Sequence, residues 1–254
     1  MSGNAIYNHG SGLVYAATPH DTSLFPNPGP AIAMSGGLNG VTITGNQIDG
    51  AGTGSGIVLG TLPAGPGAML TNVTVTGNII ANTVGNTGIG AGAGAEILAA
   101  TNCVHGYNDE GAGLQAAGDN SVMRSNTVIN FATGASVTGD NNDVYSNIFA
   151  DCTTGVYLAG GATGNLISYN GFVGNGVNGV GYTPSGANGD VQSASTVAQE
   201  IVSVDPYNPT FCLLQPGSNF VGKGSSNGLT LNATLDMGAI QTGYISGVEN
   251  WRQF

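Results

Sequence analysis

Positive charge is almost missing from this chain: its 254 residues hold Lys+Arg 3 against Asp+Glu 14, a formal net charge of -11, and the first basic residue is Arg124. Phosphate recognition rests on lysine and arginine, so nucleic acid is excluded as a partner. An acidic polysaccharide is repelled as well unless a metal intervenes. Long apolar runs are missing too, and no stretch of about 18 consecutive apolar residues offers a membrane-spanning helix. No charged segment followed by an apolar core marks a secretory leader in the sequence given. Cysteine is scarce: Cys103, Cys152 and Cys212 have neither metal-ligand spacing nor an even count, and they read as buried free thiols that leave the redox compartment open. Helical periodicity is absent as well, which leaves an all-β chain.

What the sequence has in excess is glycine, 45 residues of it, and a recurring asparagine. Asn4, Asn46, Asn78, Asn102, Asn126, Asn147 and Asn170 each close a short run: MSGN, VTITGN, VTVTGN, ILAATN, SVMRSN, DVYSN and NLISYN. They fall 42, 32, 24, 24, 21 and 23 residues apart, so the later ones settle on the period of a solenoid. Three positions before each stands an apolar residue, Met1, Ile43, Val75, Ala99, Met123, Val144 and Ile167. Five before stand Val41, Val73 and Ile97, then polar Ser121, Asn142 and Asn165. Alternation with period two makes each run a strand with these rows facing inward, and the Gly-Asn and Ser-Asn endings are turn chemistry. Some 8 to 11 residues after most of the asparagines comes a glycine with an aliphatic neighbour: Gly12-Leu13, Gly56-Ile57, Gly88-Ile89, Gly113-Leu114, Gly155-Val156 and Gly179-Val180. A single-stranded parallel β-helix of about seven coils accounts for all of this, with like residues stacked at about 4.8 Å per coil and the asparagines passing amide hydrogen bonds from one coil to the next.

The coils run over residues 1–188, and a non-repetitive closing segment occupies 189–254. Insertions at about 17–37 and 61–67 lengthen the first two coils after their Gly-aliphatic strands, and both are expected to leave the same turn. Within the first, His20 and Phe25 are candidates for a sugar-binding lip. Met1 holds the inward position taken later by Ile43 and Val75, so the first coil has no polar cap of its own. A preceding segment, a partner chain or a neighbouring subunit is expected over that end.

Two sets of carboxylates are candidates for chemistry. His105, Tyr107, Asn108, Asp109 and Glu110 form the densest polar group, suited to acid/base work or to a hard cation such as calcium; a solvated turn is the reading the sequence favours over either. No other residue supports calcium, so no cofactor or metal is expected. Asp119 and Asp140 each precede an asparagine by seven residues and should stack in adjacent coils. At about 5 Å such a pair suits a retaining glycosidase, whereas in GDN and GDNN runs aspartate commonly caps a turn. Outward positions of the runs change from Thr42, Thr44, Thr74 and Thr76 to Leu98, Val122, Arg124, Asp143, Tyr145 and Leu166. Exposed apolar rows imply a cover, either the closing segment folded back or another copy of the chain, with Arg124 pairing with Asp143 or stacking on Tyr145.

After the coils come Asp205-Pro206, Phe211, Leu214, Pro216-Gly217-Ser218 and Asp236-Met237-Gly238-Ala239. Together with the coils this resembles the right-handed parallel β-helix (pectate-lyase-like) superfamily, whose bacterial and phage members often close on such a pattern; here Asn219 stands where a proline is usual. The resemblance implies polysaccharide lyases, glycoside hydrolases, epimerases or phage tailspikes and fibres, on the virion or outside the cell. Lyases and epimerases of this fold rely on basic residues beside the sugar acid, and these coils offer only Arg124. The expected function is therefore a structural, receptor- or glycan-binding β-helix that associates with copies of itself, as a homotrimer, or with other surface proteins. The alternative is a polysaccharide hydrolase using the paired carboxylates.

Overall fold

The computed structural model describes residues 5–7, 9–10, 13–14, 31–34, 39–49, 55–60, 70–84, 87–107, 109–225 and 235–240. It is an all-β parallel solenoid of about six turns, built from three sheets that run its length. The pre-asparagine sheet has six strands, among them Thr42–Thr44, Leu70–Thr76, Ala95–Ala100, Val122–Arg124, Asp143–Tyr145 and Leu166–Ser168. The post-asparagine sheet has eight, ending in Cys103–Tyr107, Thr127–Ile129, Ile148–Ala150, Gly171–Val173 and Val191–Gln192. The glycine sheet has seven, from Ile32–Met34 to Val177–Val180. Pairings place like residues opposite from coil to coil, as in Met123 opposite Ala99 on one side and Val144 on the other, with register shifts between Ala95 and Ile97 and between Val104 and Gly106.

The inward rows are those the alternation predicts. Ile43, Val75, Ala99, Met123, Val144 and Ile167 are buried, and Ile80, Val104, Val128, Phe149 and Phe172 face them from the post-asparagine sheet. Gly56, Gly88, Gly113, Gly134 and Gly155 stand at the start of the third sheet's strands because that sheet passes very close to this second row. A Cβ on Gly88 would lie 2.3 Å from Val104 Cγ1, and one on Gly113 would lie 2.1 Å from Val128 Cγ1. Close approach, not turn geometry, selects glycine here.

Three expectations are corrected. Gly12-Leu13 does not open the glycine sheet: Leu13–Val14 pairs antiparallel with His9–Gly10, and Ile32–Met34 takes the coil position beside Ile57–Leu59. The stretch 17–37 therefore includes a core strand, with Ile32 3% exposed. Nor do the two insertions leave one turn: the first precedes a glycine-sheet strand, while 61–69 follows one and leads to Leu70–Thr76. Residues 17–30, 35–37 and 61–69, His20 and Phe25 among them, lie outside the described residues.

The third correction concerns the cover. The apolar residues of the described closing segment pack on the post-asparagine sheet, while Ser225 lies beside Leu166, Ile167 and Ser168 of the pre-asparagine sheet. Ile201, Phe211, Cys212, Leu214, Phe220, Met237, Ala239 and Ile240 form a second core with Cys103, Ile129, Ile148, Ala150 and Val173. The reason is that this sheet is apolar on both sides, as Ile148, Phe149 and Ala150 show by all being fully buried. One helical turn, Val197–Glu200, starts the segment from a capping box between Thr196 and Gln199.

Candidate functional site

The polar groups of the coils are, first of all, bonded to one another. Asn46, Asn78, Asn102, Asn126, Asn147 and Asn170 are each at most 1% exposed, and each Nδ2 from Asn46 to Asn147 donates to the next Oδ1 at 2.9–3.1 Å. Each of those Oδ1 atoms accepts a second bond from the preceding asparagine's backbone N–H. The other Nδ2 proton of Asn102, Asn126 and Asn147 goes back to a strand carbonyl, that of Val75, Ala99 or Met123. The column ends on Asp190, whose Oδ1 accepts the Asn170 backbone N–H at 2.9 Å. Its Oδ2 accepts from the Ser185 backbone N–H and the Tyr182 hydroxyl. Burial holds the Asp190 carboxyl above its ordinary range against the bonds it accepts, and burial together with Asp190 pushes the Tyr182 phenol up.

Asp119 and Asp140 do occupy successive coils. Asp119 Oδ1 accepts the Asp140 backbone N–H at 2.8 Å, and Asp140 Oδ1 accepts the Thr163 backbone N–H at 2.6 Å and its hydroxyl at 3.2 Å. Each carboxylate thus ties its own coil to the next at an outer corner. A parallel arrangement links Ser121, Asn142 and Asn165, with Asn142 Oδ1 accepting from Ser121 N–H and Asn165 Oδ1 from Asn142 N–H.

The dense group of the fourth coil is divided by the fold. His105 lies beneath the cover, its ring edge-on to Phe211 at 6.3 Å; burial lowers its pKa, opposed by the charge of Asp205. Its Nδ1 is buried without a hydrogen-bond partner among the described residues. Tyr107, Asp109 and Glu110 are exposed, and Asn108 lies outside the described residues. Asp109 is brought near Asp151 of a later coil: burial, and then the negative charge of Asp109, raises the Asp151 pKa. On the pre-asparagine face Arg124 stands opposite Tyr145 in register, and Tyr145 is buried. Among the described residues Arg124 makes no ion pair with Asp143, whose pKa burial raises. All three cysteines are free and buried, as expected, and burial pushes the Cys152 thiol up to about 12.

The reading of the sequence missed two features. One is Glu200, 1% exposed, which knits the closing segment together. Its carboxylate accepts from the Ser193 and Ser218 hydroxyls, from the Asn219 backbone N–H at 2.8 Å and from Asn219 Nδ2 at 2.6 Å. Burial alone would raise its pKa, but these bonds hold it below the ordinary value. They also explain Asn219, since proline at that place has neither N–H to give.

The other is a cleft of about 450 Å³ at the C-terminal end of the solenoid, between the last pre-asparagine strand and residues 182–188. Tyr169, Tyr182, Leu158, Leu166, Asn165 and Asn188 are among its lining residues, and none of its described lining residues is charged. Tyr169 has φ 54°, the left-handed conformation of the residue before each asparagine, which elsewhere in the column is Gly45, Gly77, Thr101, Ser125 or Ser146. A bulky aromatic there carries strain of about 1–3 kcal/mol. Its ring rests against Gly189, where a Cβ would come within 2.4 Å.

Residues 31–193 match the family model described as Right handed beta helix region. Neither the curated proteins nor the solved structures compared with the chain give a match.

Proposed function

We propose, since this chain belongs to the right-handed β-helix family, that it is a stiff, non-catalytic element of a virion or cell surface that binds glycan and assembles with copies of itself, a trimer being the first arrangement to test. The observation that carries this reading is the engagement of Asp119 and Asp140. A nucleophile or acid/base carboxylate acts on a sugar at the bond to be cleaved, whereas these two each have an oxygen held by a backbone N–H of the following coil. Fold alone does not supply an activity. The tailspike or fibre likeness rests on the closing motif, and the formal net charge of -11 favours a neutral glycan over an acidic one.

The second reading is a polysaccharide hydrolase, favoured by the stacking of the same two carboxylates one coil apart. At about 4.8 Å per coil this approaches the roughly 5–5.5 Å of a retaining pair. Incubation with neutral capsular and lipopolysaccharide glycans, read as new reducing ends, separates the two. No release above background is expected from the wild type. Release that disappears in Asp119→Asn or Asp140→Asn would establish the hydrolase and overturn the structural reading. Sedimentation gives the second arm: a mass of several chains is expected, and a monomer would remove the self-assembly.

A further inference from the structure

We propose that the cleft at the C-terminal end of the solenoid holds one neutral pyranose ring of a glycan. This deepens the glycan-binding reading and rests on it. The volume, about 450 Å³, falls inside the range of roughly 300–1,000 Å³ occupied by small-molecule sites. The lining pairs aromatic and aliphatic surface, from Tyr169, Tyr182 and Leu166, with amide and hydroxyl groups from Asn188, Ser168 and Ser225. That mixture fits a sugar, which presents C–H groups on its faces and hydroxyls around its edge, and fits a purely apolar ligand poorly.

Four further observations bear on the ligand. Tyr169 replaces the small residue of its column at a backbone conformation unfavourable to it, so packing of the coils does not account for its choice. The ring is backed by Gly189 yet remains 41% exposed, a fixed aromatic surface that costs little ordering on binding. Tyr182, which also lines the cleft, is held by its bond to Asp190, which orders the 182–190 turn through Ser185 as well. No lysine or arginine is among the described lining residues, while the Asp190 carboxylate holds the Tyr182 hydroxyl, so a uronic acid is disfavoured and a neutral ring accepted.

The test is binding of maltotriose, cellotriose and chitotriose, with trigalacturonate as the charged counterpart, followed by saturation-transfer NMR and calorimetry on the wild type and on Tyr169→Ser. Serine restores the residue found at 125 and 146, so the variant should melt at or above the wild-type midpoint. At least one neutral trisaccharide is expected to bind, with affinity at least tenfold weaker in Tyr169→Ser and no binding of trigalacturonate. Equal affinity in the variant would overturn the cleft while leaving glycan binding in place. Preference for trigalacturonate would overturn the neutral-ligand assignment. Absence of binding by all four would overturn both this site and the reading on which it rests. Self-association lost in Tyr169→Ser, without sugar binding, would make the cleft a contact between copies instead.

Discussion

A single asparagine in the column carries more hydrogen bonds than its size suggests. The Asn126 side chain accepts two bonds from Asn102 and donates two, to Ala99 O and to Asn147, all in the buried interior. Asn126→Ala would strand the Asn102 donors and the Ala99 carbonyl, and a loss of about 3–5 kcal/mol is expected in urea unfolding. The acid side of the stability profile should come largely from Glu200. Its folded pKa lies below the unfolded value, so its contribution is fully present above the ordinary carboxylate range and is lost as pH falls through the depressed folded pKa. Glu200→Gln should therefore flatten the fall in denaturation midpoint between pH 6 and pH 3; an unchanged slope would assign it to other carboxylates. Asp190 acts in the opposite sense, its raised pKa favouring the fold at low pH. The asparagine column was legible because one residue type recurs at one phase of the repeat. Asp190 and Glu200 were not, since a lone carboxylate outside the repeat looks like any surface acid until the cover is in place.

At the level of strands and sheets, the pre-asparagine sheet could be read directly from its alternation and the later strands of the glycine sheet from their glycine, whereas Ile32–Met34 follows Ala31 and carries no such mark. The post-asparagine sheet could not be read directly. Runs such as Ile148-Phe149-Ala150 lack alternation, being buried on both sides, and a continuous apolar run does not say which neighbour covers it. The alternation therefore pointed to the pre-asparagine face as the one needing a cover, by the closing segment or by another copy, and gave no sign that the post-asparagine sheet takes the closing segment's core. The glycine sheet gives a sharp contrast for mutation. Gly113→Ala forces a methyl to within 2.1 Å of Val128, an overpacking cost of about 1–3 kcal/mol. Gly160→Ala has nothing within 4 Å and should leave the thermal midpoint nearly unchanged. The cover makes its own prediction through the thiols. Cys103 and Cys212 belong to the core it creates, and Cys152 is buried with its pKa at about 12, so none of the three should react with a disulfide reagent at pH 8 until the chain is unfolded. Rapid labelling of the native protein would show that the cover opens.

Taken as a whole, the molecule combines a quasi-one-dimensional stack with a segment that runs back along it. Near one end of that segment the Tyr207 hydroxyl donates to Asp49 Oδ2 at 2.8 Å, in the coil that opens with Asn46. Elsewhere Ala239 N–H reaches Thr127 and Gly238 N–H reaches the Ser146 carbonyl, with no room at Gly238 for a Cβ, which would meet Ile148 and Thr127 at 2.7 Å. Excision of 127–147, one whole repeat that joins Asn126 to Ile148, should preserve parallel-sheet circular dichroism. It should also raise dye binding to exposed apolar surface and lower the melting midpoint, because the returning segment no longer meets its anchors. A variant that melts normally without dye binding would show that the segment tolerates any stack beneath it. The consequence reaches beyond stability. Amide-to-amide bonding is indifferent to how many rungs it joins, and duplication within such a gene would lengthen it freely; a strap fastened at Asp49 and again beside Ser146 works as a gauge, admitting one count of turns and rejecting its neighbours.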